Sequence, residues 1–373
     1  MASLRSTLLR SSRTTRPPRP TCVYASHSTR TYYNVNSEQR KDTIRLQQRS
    51  NPYTSPTLPR HYSTQQPSPE HNPTNTALDL RIHPIYEPST GTFQYLVTDP
   101  SSPASIIIDP VLDYDPSTST LSTTSATALL TLIAQHDLTI HYILETHAHA
   151  DHLSAASYLQ AQLSKPGGKR PQIGIGARIH DVQKLFGARY GVPPAEYAIA
   201  FDRLFVDDEV FTAGGLSITA MHLPGHTPDH MGYRIGGHVF CGDSLFHPDI
   251  GTARTDFPGG SARALWSSTQ KLLSLPEETR IWVGHDYPPE GGRAPVAGMT
   301  VRQHREGNQL VGGGRGEEEF VEARTRRDGA LGAPRLLHQS LQVNVRGGRL
   351  PEADGEGRRM LRVPLRLQGV EGW

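Results

Sequence analysis

The chain has 373 residues, 35% of them hydrophobic and 20% charged, with a formal net charge of +2. That length suits one large or two modest globular domains, and no apolar run approaches the roughly 20 residues needed to span a bilayer as a helix, so no membrane partner is expected. The charge is uneven: residues 1–62 carry eleven Lys and Arg against Glu38 and Asp42, whereas the remainder is net −7. A body of that sign, without a basic patch interleaved with aromatic residues, argues against nucleic acid as a partner.

Arg5, Arg10, Arg13, Arg16 and Arg19 alternate with Ser, Thr and Leu, and no acid precedes Glu38. This is the Arg- and Ser-rich, acid-poor pattern of a mitochondrial transit segment. Residues 1–62 are therefore expected to direct import into the mitochondrial matrix, with cleavage after Tyr62, two residues past Arg60. A polar, Pro-rich linker follows over 63–76, and order is expected to begin near Ala77. Only Cys22 and Cys241 occur, so once the leader is gone no internal disulfide can form. Cys241 ends a strand-like run, 238–241, and reads as a small buried hydrophobe.

Three short strands are expected at 82–86, 93–98 and 105–108, with turn residues between them, as the antiparallel opening of a sheet. Asp109-Pro110 closes the third, where Asp109 reads as a cap. The Ser/Thr-rich stretch 117–125 reads as a loop, and 126–136 as a helix with Leu129, Leu130, Leu132 and Ile133 on one broad face. The apolar run 141–145 is a buried strand. It leads into Thr146-His-Ala-His-Ala-Asp-His152, four potential metal ligands in six residues. Residues two apart still point one way past a strand end, so His147 and His149 are expected to face one cavity. Asp151 is a potential ligand or an ordinary N-cap for a helix expected over 153–164.

Further strands are expected at 173–179, 204–206, 209–211, 216–222, 232–235, 238–241 and 280–283, and helices at 180–190 and 261–274. His147, His226, Asp243 and His285 each fall just beyond a β-like run, beside Gly or Pro for the last three. Loops at the ends of packed strands are where a rigid scaffold brings distant side chains together, so these four are expected to share one site. Neutral imidazole and carboxylate suit zinc, iron and similar divalent metals. Gly312-Gly-Gly314 lacks the Lys and Ser/Thr of a phosphate loop, and Glu317-Glu-Glu319 followed by Arg324, Arg326 and Arg327 fits a helix complementing its own dipole.

The order His-x-His-x-Asp-His (147–152), Gly-His-Thr (225–227), Cys-Gly-Asp (241–243) and Gly-His-Asp (284–286) resembles the metallo-β-lactamase superfamily. The resemblance implies an α/β fold, an αββα sandwich of two mixed sheets flanked by helices, forming a catalytic domain with a C-terminal extension over 77–373. Segments 251–260 and 283–289 look like the persulfide dioxygenase branch, and 334–346 like its β-lactamase hydrolase-like members. In that branch two histidines and one carboxylate hold a single Fe(2+), which maps onto His147, His226 and Asp243, a face with open positions for substrate and dioxygen. His149, Asp151, His152 and His285 correspond to ligands that hydrolytic relatives use for a second metal, and here are implied pocket residues. The implied reaction oxidises glutathione persulfide with O2 and water to sulfite and glutathione.

Arg254 and Asp256, as a mutual ion pair, and Tyr287, as a hydrogen-bond donor, are the candidates for shaping the substrate pocket beside Asp151. Arg302 and Arg305 are the candidates for clamping glutathione carboxylates. The competing expectation is a glyoxalase II-like thioesterase with two Zn(2+) ions and a bridging hydroxide. That family carries Glu where Asp286 stands. A homodimer, and a sulfurtransferase partner acting in trans, are both compatible with the sequence.

Overall fold

The computed structural model describes residues 80–164 and 166–369. The expectations for the transit segment, the linker and the start of order near Ala77 lie outside the described residues.

Strands β1 (Arg81–Glu87), β2 (Thr92–Thr98) and β3 (Ala104–Ile108) form the antiparallel opening. A hairpin of β4 (Val111–Asp115) and β5 (Thr120–Ser122) leads to helix α1 (Thr124–Gln135), whose crossover lays β6 (Thr139–Leu144) parallel to β3. The metal-motif loop follows β6 and ends in the two-residue strand β7 (Leu153–Ser154), which pairs with β4. Helix α2 (Ala156–Leu163) leads into β8 (Gln172–Gly176), and helices α3 (Ile179–Tyr190) and α4 (Pro194–Tyr197) connect that strand to β9 (Arg203–Phe205), completing a six-stranded sheet β1-β2-β3-β6-β8-β9.

A second six-stranded sheet runs in sequence order: β10 (Val210–Ala213), β11 (Leu216–His222), β12 (Met231–Ile235), β13 (His238–Phe240), β14 (Arg280–Trp282) and β15 (Gly298–Thr300). Helix α5 (Ala262–Leu273) is the crossover that makes β13 and β14 parallel. Its N-terminus lies where the sequence places it, with Ser261 Oγ accepting the Ala264 amide. Helices α6 (Val301–Gly307), α7 (Glu317–Asp328) and α8 (Leu337–Asn344) close the domain.

Strand periodicity sorts the core. Tyr95, Val97, Ile106 and Ile108 point between the sheets, against Phe211, Ile218, Tyr233 and Phe240. Leu96 and Ile107, one residue out of step, point outward onto Leu129 and Ile133 of α1 and Leu159 of α2. Strands β2 and β3 are buried at every position because both their faces are covered, each large side chain contributing about 1.5–3 kcal/mol. This is the αββα arrangement expected of the sequence.

Two local expectations need correction. The helix expected over 153–164 begins only at Ala156, because Leu153 and Ser154 are taken into pairing with β4. The stretch read as a loop over 117–125 contains β5, held to β4 across a turn in which Asp115 accepts the Ser117 amide.

The sheets position the site directly. Strands β11 and β13 both run antiparallel to β12, and β14 runs parallel to β13, so the chain leaves all three at one edge. The loop after β6 reaches the same edge from the other sheet. Backbone bonds clasp the two halves there, from Met231 N to Thr146 O (2.7 Å) and from Phe93 N to Gly284 O (2.8 Å).

Candidate metal centre

His147, His226 and Asp243 converge from three loops: each offers a ligand atom, all three atoms lie within 4.8 Å of one another, and all three residues are buried. His149, Asp151, His152 and His285 form a second such group, and His285 Nε2 stands 3.5 Å from Asp243 Oδ1, so the two groups adjoin across that carboxylate. Every residue that the sequence singled out as a ligand or neighbouring pocket group is therefore brought to one place.

Whether these residues fit a metal is tested by the atoms left without partners. His147 Nε2, His152 Nε2, His285 Nε2, Asp151 Oδ2 and Asp243 Oδ1 are buried and make no hydrogen bond. His285 Nε2 and Asp151 Oδ2 are 3.1 Å apart yet are not aligned as a bond. A buried polar atom without a partner costs about 1–3 kcal/mol, and these five, divided between the two ligand groups, are donor atoms that a bound cation would satisfy.

The remaining ring atoms explain why these nitrogens are free. Thr146 Oγ1 donates to Asp109 (2.9 Å) and so accepts from His147 Nδ1 (3.0 Å). His226 Nδ1 donates to the Arg254 carbonyl at 2.7 Å, and His152 Nδ1 to Leu153 O at 3.3 Å. Thr92 Oγ1 takes His285 Nδ1 at 3.3 Å, at the end of a relay through Thr90 to Glu87. In each case the protein holds the proton on Nδ1 and leaves the Nε2 lone pair pointing inward, the arrangement that orients imidazole for a metal.

His149 is reversed. Its Nε2 lies 3.1 Å from Asp109 Oδ1 and 3.3 Å from Glu145 Oε2, while its Nδ1 is left without a partner. Burial pushes this imidazole's pKa down, but the carboxylates of Asp109 and Glu145 outweigh it and hold the ring well above its ordinary value. His152 moves the other way, down to about 3, through burial and the neighbouring charge of His149. His147 and His149, expected to face one cavity, have ring centroids only 4.1 Å apart but belong to different ligand groups.

Two glycines make room. Gly242 has φ +49°, and a Cβ there would sit 2.6 Å from Thr146 Oγ1. At Gly284 a Cβ would lie 2.5 Å from Asp243 Oδ1, so that carboxylate reaches the site only over a bare backbone.

Above the ligands opens a cavity of about 350 Å³, with Asp151, His226 and Asp243 at its base and Phe246, Ile250 and Tyr287 on its walls. Tyr287 is half-exposed, and its ring stacks on His285, with centroids 5.6 Å apart. Arg254 and Asp256 form the mutual pair expected of them, through two contacts of 2.5 Å, and Arg254 lines the cavity. Asp151 caps no helix, since α2 starts from Ala155.

Arg302 and Arg305 are corrected. Neither lines the cavity: Arg302 pairs with Glu277 and Glu278, and Arg305 caps the end of α5 at Leu273 O. Their place on α6 turns both towards the α5–β14 connection, a register that sequence spacing does not reveal.

Three groups that sequence reading missed hold the site together. Asp109, read as a cap, adopts φ +50°, takes the Thr146 amide at 2.7 Å and carries both His147, through Thr146, and His149. His230 accepts the Asp243 amide at Nε2 (2.9 Å) and stacks on His147. Asn344, on α8, donates to His149 O (2.8 Å) and His152 O (2.9 Å) and accepts the Ser154 amide (2.8 Å). His230 lies just before β12, in the turn that follows the Gly-His-Thr motif; Asn344 gives no signal outside the 334–346 resemblance.

Comparison with known proteins agrees with this geometry. The family model described as the metallo-beta-lactamase superfamily matches residues 90–285. A beta-lactamase hydrolase-like protein from Xylella fastidiosa is 44% identical over 294 residues, covering 79% of this chain; the chain spans 66% of that relative's length. Glyoxylase B2 from Dictyostelium discoideum is 41% identical, over 77% of this chain and 96% of that one. The crystal structure of ETHE1 from Myxococcus xanthus superposes with a TM-score of 0.58 at 25% identity, covering 72% of this chain and all of that one. The chain belongs to the metallo-beta-lactamase superfamily.

Proposed function

We propose that the chain is a mononuclear iron persulfide dioxygenase that oxidises glutathione persulfide with O2 and water to sulfite and glutathione, working in the mitochondrial matrix. The observation that carries this reading is the group of His147, His226 and Asp243: two imidazoles and one carboxylate leave open faces on a metal, the ligand set of oxygen-using iron sites. His149 stands with the second group, so the first is a set of three ligands. The likeness to ETHE1 points the same way.

Iron bound there would supply a Lewis-acidic, redox-active centre able to hold a persulfide sulfur and dioxygen side by side. The chain's own part is orientation and exclusion. The Arg254 carbonyl and the Thr146–Asp109 pair fix the ligand rings, while Phe246 and Ile250 line the approach with apolar surface. Tyr287 presents its hydroxyl from a half-exposed ring at the cavity wall, where it can donate to a bound thiolate.

A second reading has its own observation. The group of His149, Asp151, His152 and His285 is complete, so a second metal could sit beside Asp243 and the site would then suit a two-zinc hydrolase of glutathione thioesters. The relative named glyoxylase B2 favours the same class. Metal analysis of anaerobically prepared protein, with oxygen uptake on glutathione persulfide measured beside thioester cleavage, decides between them. About one iron per chain with sulfite formation is expected; zinc-loaded protein that cleaves thioesters and consumes no oxygen would overturn the proposal.

A further inference from the structure

Four arginines line the cavity above the metal ligands: Arg254, Arg324, Arg327 and Arg335. Two of them are already neutralised. Arg254 pairs with Asp256, and the buried Arg324 pairs with Asp328 at 2.5 Å. Arg327 and Arg335 differ. Arg327 Nη1 donates only to the Ile250 carbonyl (3.1 Å), and Arg335 Nη2 only to the Ser89 carbonyl (3.5 Å), and neither has a carboxylate in ion-pair reach among the described residues. A guanidinium offers five N–H donors, so each keeps most of its capacity free.

Position matters more than the absence of partners, since an unpaired arginine on an open surface is ordinary. Arg327 lies on the last turn of α7, and Arg335 in the α7–α8 connection. The Arg335 contact with Ser89 ties this side chain to the β1–β2 turn, which also lines the cavity. Among the described residues, the acids lining the cavity are Asp151 and Asp243, which stand among the metal ligands at its base. The cavity therefore runs from a metal site at its floor to two unneutralised cations at its rim, with Leu331 and Pro334 between them.

We infer that Arg327 and Arg335 form a paired carboxylate subsite at the rim, selecting a thiol peptide with two free carboxylates over uncharged or singly charged carriers of the same sulfur. This rests on the proposed reading, in which the substrate's sulfur goes to the metal, and it deepens that reading by assigning the opposite end of the substrate. It also replaces Arg302 and Arg305, which are engaged elsewhere, as the clamp.

The test measures binding and turnover separately on the full chain with its metal. Calorimetry with S-methylglutathione, and with its diester in which both carboxylates are blocked, is run on the native protein and on Arg327→Gln, Arg335→Gln and Arg335→Lys. Arg326→Gln is the control, since Arg326 pairs with Glu322 and does not line the cavity. Each Gln variant is expected to weaken S-methylglutathione about 5- to 10-fold, as loss of one partly exposed charge-assisted contact predicts. Arg335→Lys should recover part of the loss, added salt should shrink the differences, and the diester should bind every variant equally weakly. With glutathione persulfide the same variants should raise KM and leave kcat within about twofold.

Equal binding of the acid and the diester by the native protein, or Gln variants that bind as it does, would overturn the assignment and leave the dioxygenase reading intact. Arginine-dependent binding without oxygen uptake would sink the dioxygenase reading while upholding the subsite.

Discussion

Replacing Asn344 by Leu tests how the metal loop is held. The Asn344 carboxamide makes three buried contacts of 2.8–2.9 Å, to His149 O, His152 O and Ser154 N. Leucine has the same number and branching of side-chain heavy atoms, so no cavity is created, but two carbonyls and one amide lose a partner they cannot replace with water. At about 1 kcal/mol for each lost bond, and more where a buried group stays unsatisfied, the expected loss is about 3–5 kcal/mol. Asn344→Asp should be at least as damaging, because it puts a carboxylate oxygen against two carbonyl oxygens. Denaturant unfolding with metal in excess measures the first effect, and metal affinity the second, which should fall about 10- to 100-fold, as for groups that orient ligands. A leucine variant with native stability and native metal affinity would show that the loop keeps its shape without α8, and the reasoning would fail.

Gly284→Ala should leave the fold largely intact but strip the metal, because its Cβ would meet Asp243 Oδ1 at 2.5 Å; metal content after gel filtration reads this directly. Asp328→Asn should cost about 3–5 kcal/mol in unfolding measurements, since it leaves the buried Arg324 without its counter-charge and weakens the bonds from Thr255. The carboxylate of Asp99 accepts bonds from Ser101, Ser102 and the Gly215 amide, which hold its pKa well below the usual range. The stability it contributes is therefore full above the unfolded value of about 3.9 and is lost as pH falls below it. Urea midpoints from pH 6 to pH 3 should fall less steeply for Asp99→Asn than for the native chain.

Legibility followed periodicity and chemistry. Strands β1 to β3 and the helix from Ser261 were readable because alternating apolar residues and turn or cap residues agree locally. The ligands were readable because histidine and aspartate beyond strand ends have few structural reasons to be there. What sequence did not show are relations fixed by tertiary contact. Leu153 and Ser154 look helical until β4 offers them a partner, and Arg305 looks free until Leu273 O takes its guanidinium. Asp109 has the sequence profile of a cap; only its positive φ and the return of β6 alongside β3 turn its carboxylate onto Thr146 and His149.

The same relations explain why ligand identity alone could not separate an oxygenase from a hydrolase. All seven potential ligands are present, so the distinction has to lie in what each is tied to. Histidines 147, 152, 226 and 285 are tied through Nδ1 to neutral oxygens, which turns Nε2 towards the ligand cluster. Among these five rings, His149 is the one whose Nε2 hydrogen-bonds a carboxylate, that of Asp109, with Glu145 beside it, and the two raise its pKa. A metal taking His149 Nδ1 must displace the second proton that the raised pKa of this ring favours there, whereas burial lowers the pKa of His147 and keeps its Nε2 open. On this ground the two sites are unequal by construction. Removing Asp109 or Glu145 should narrow the difference, raising the uptake of a second metal relative to the first.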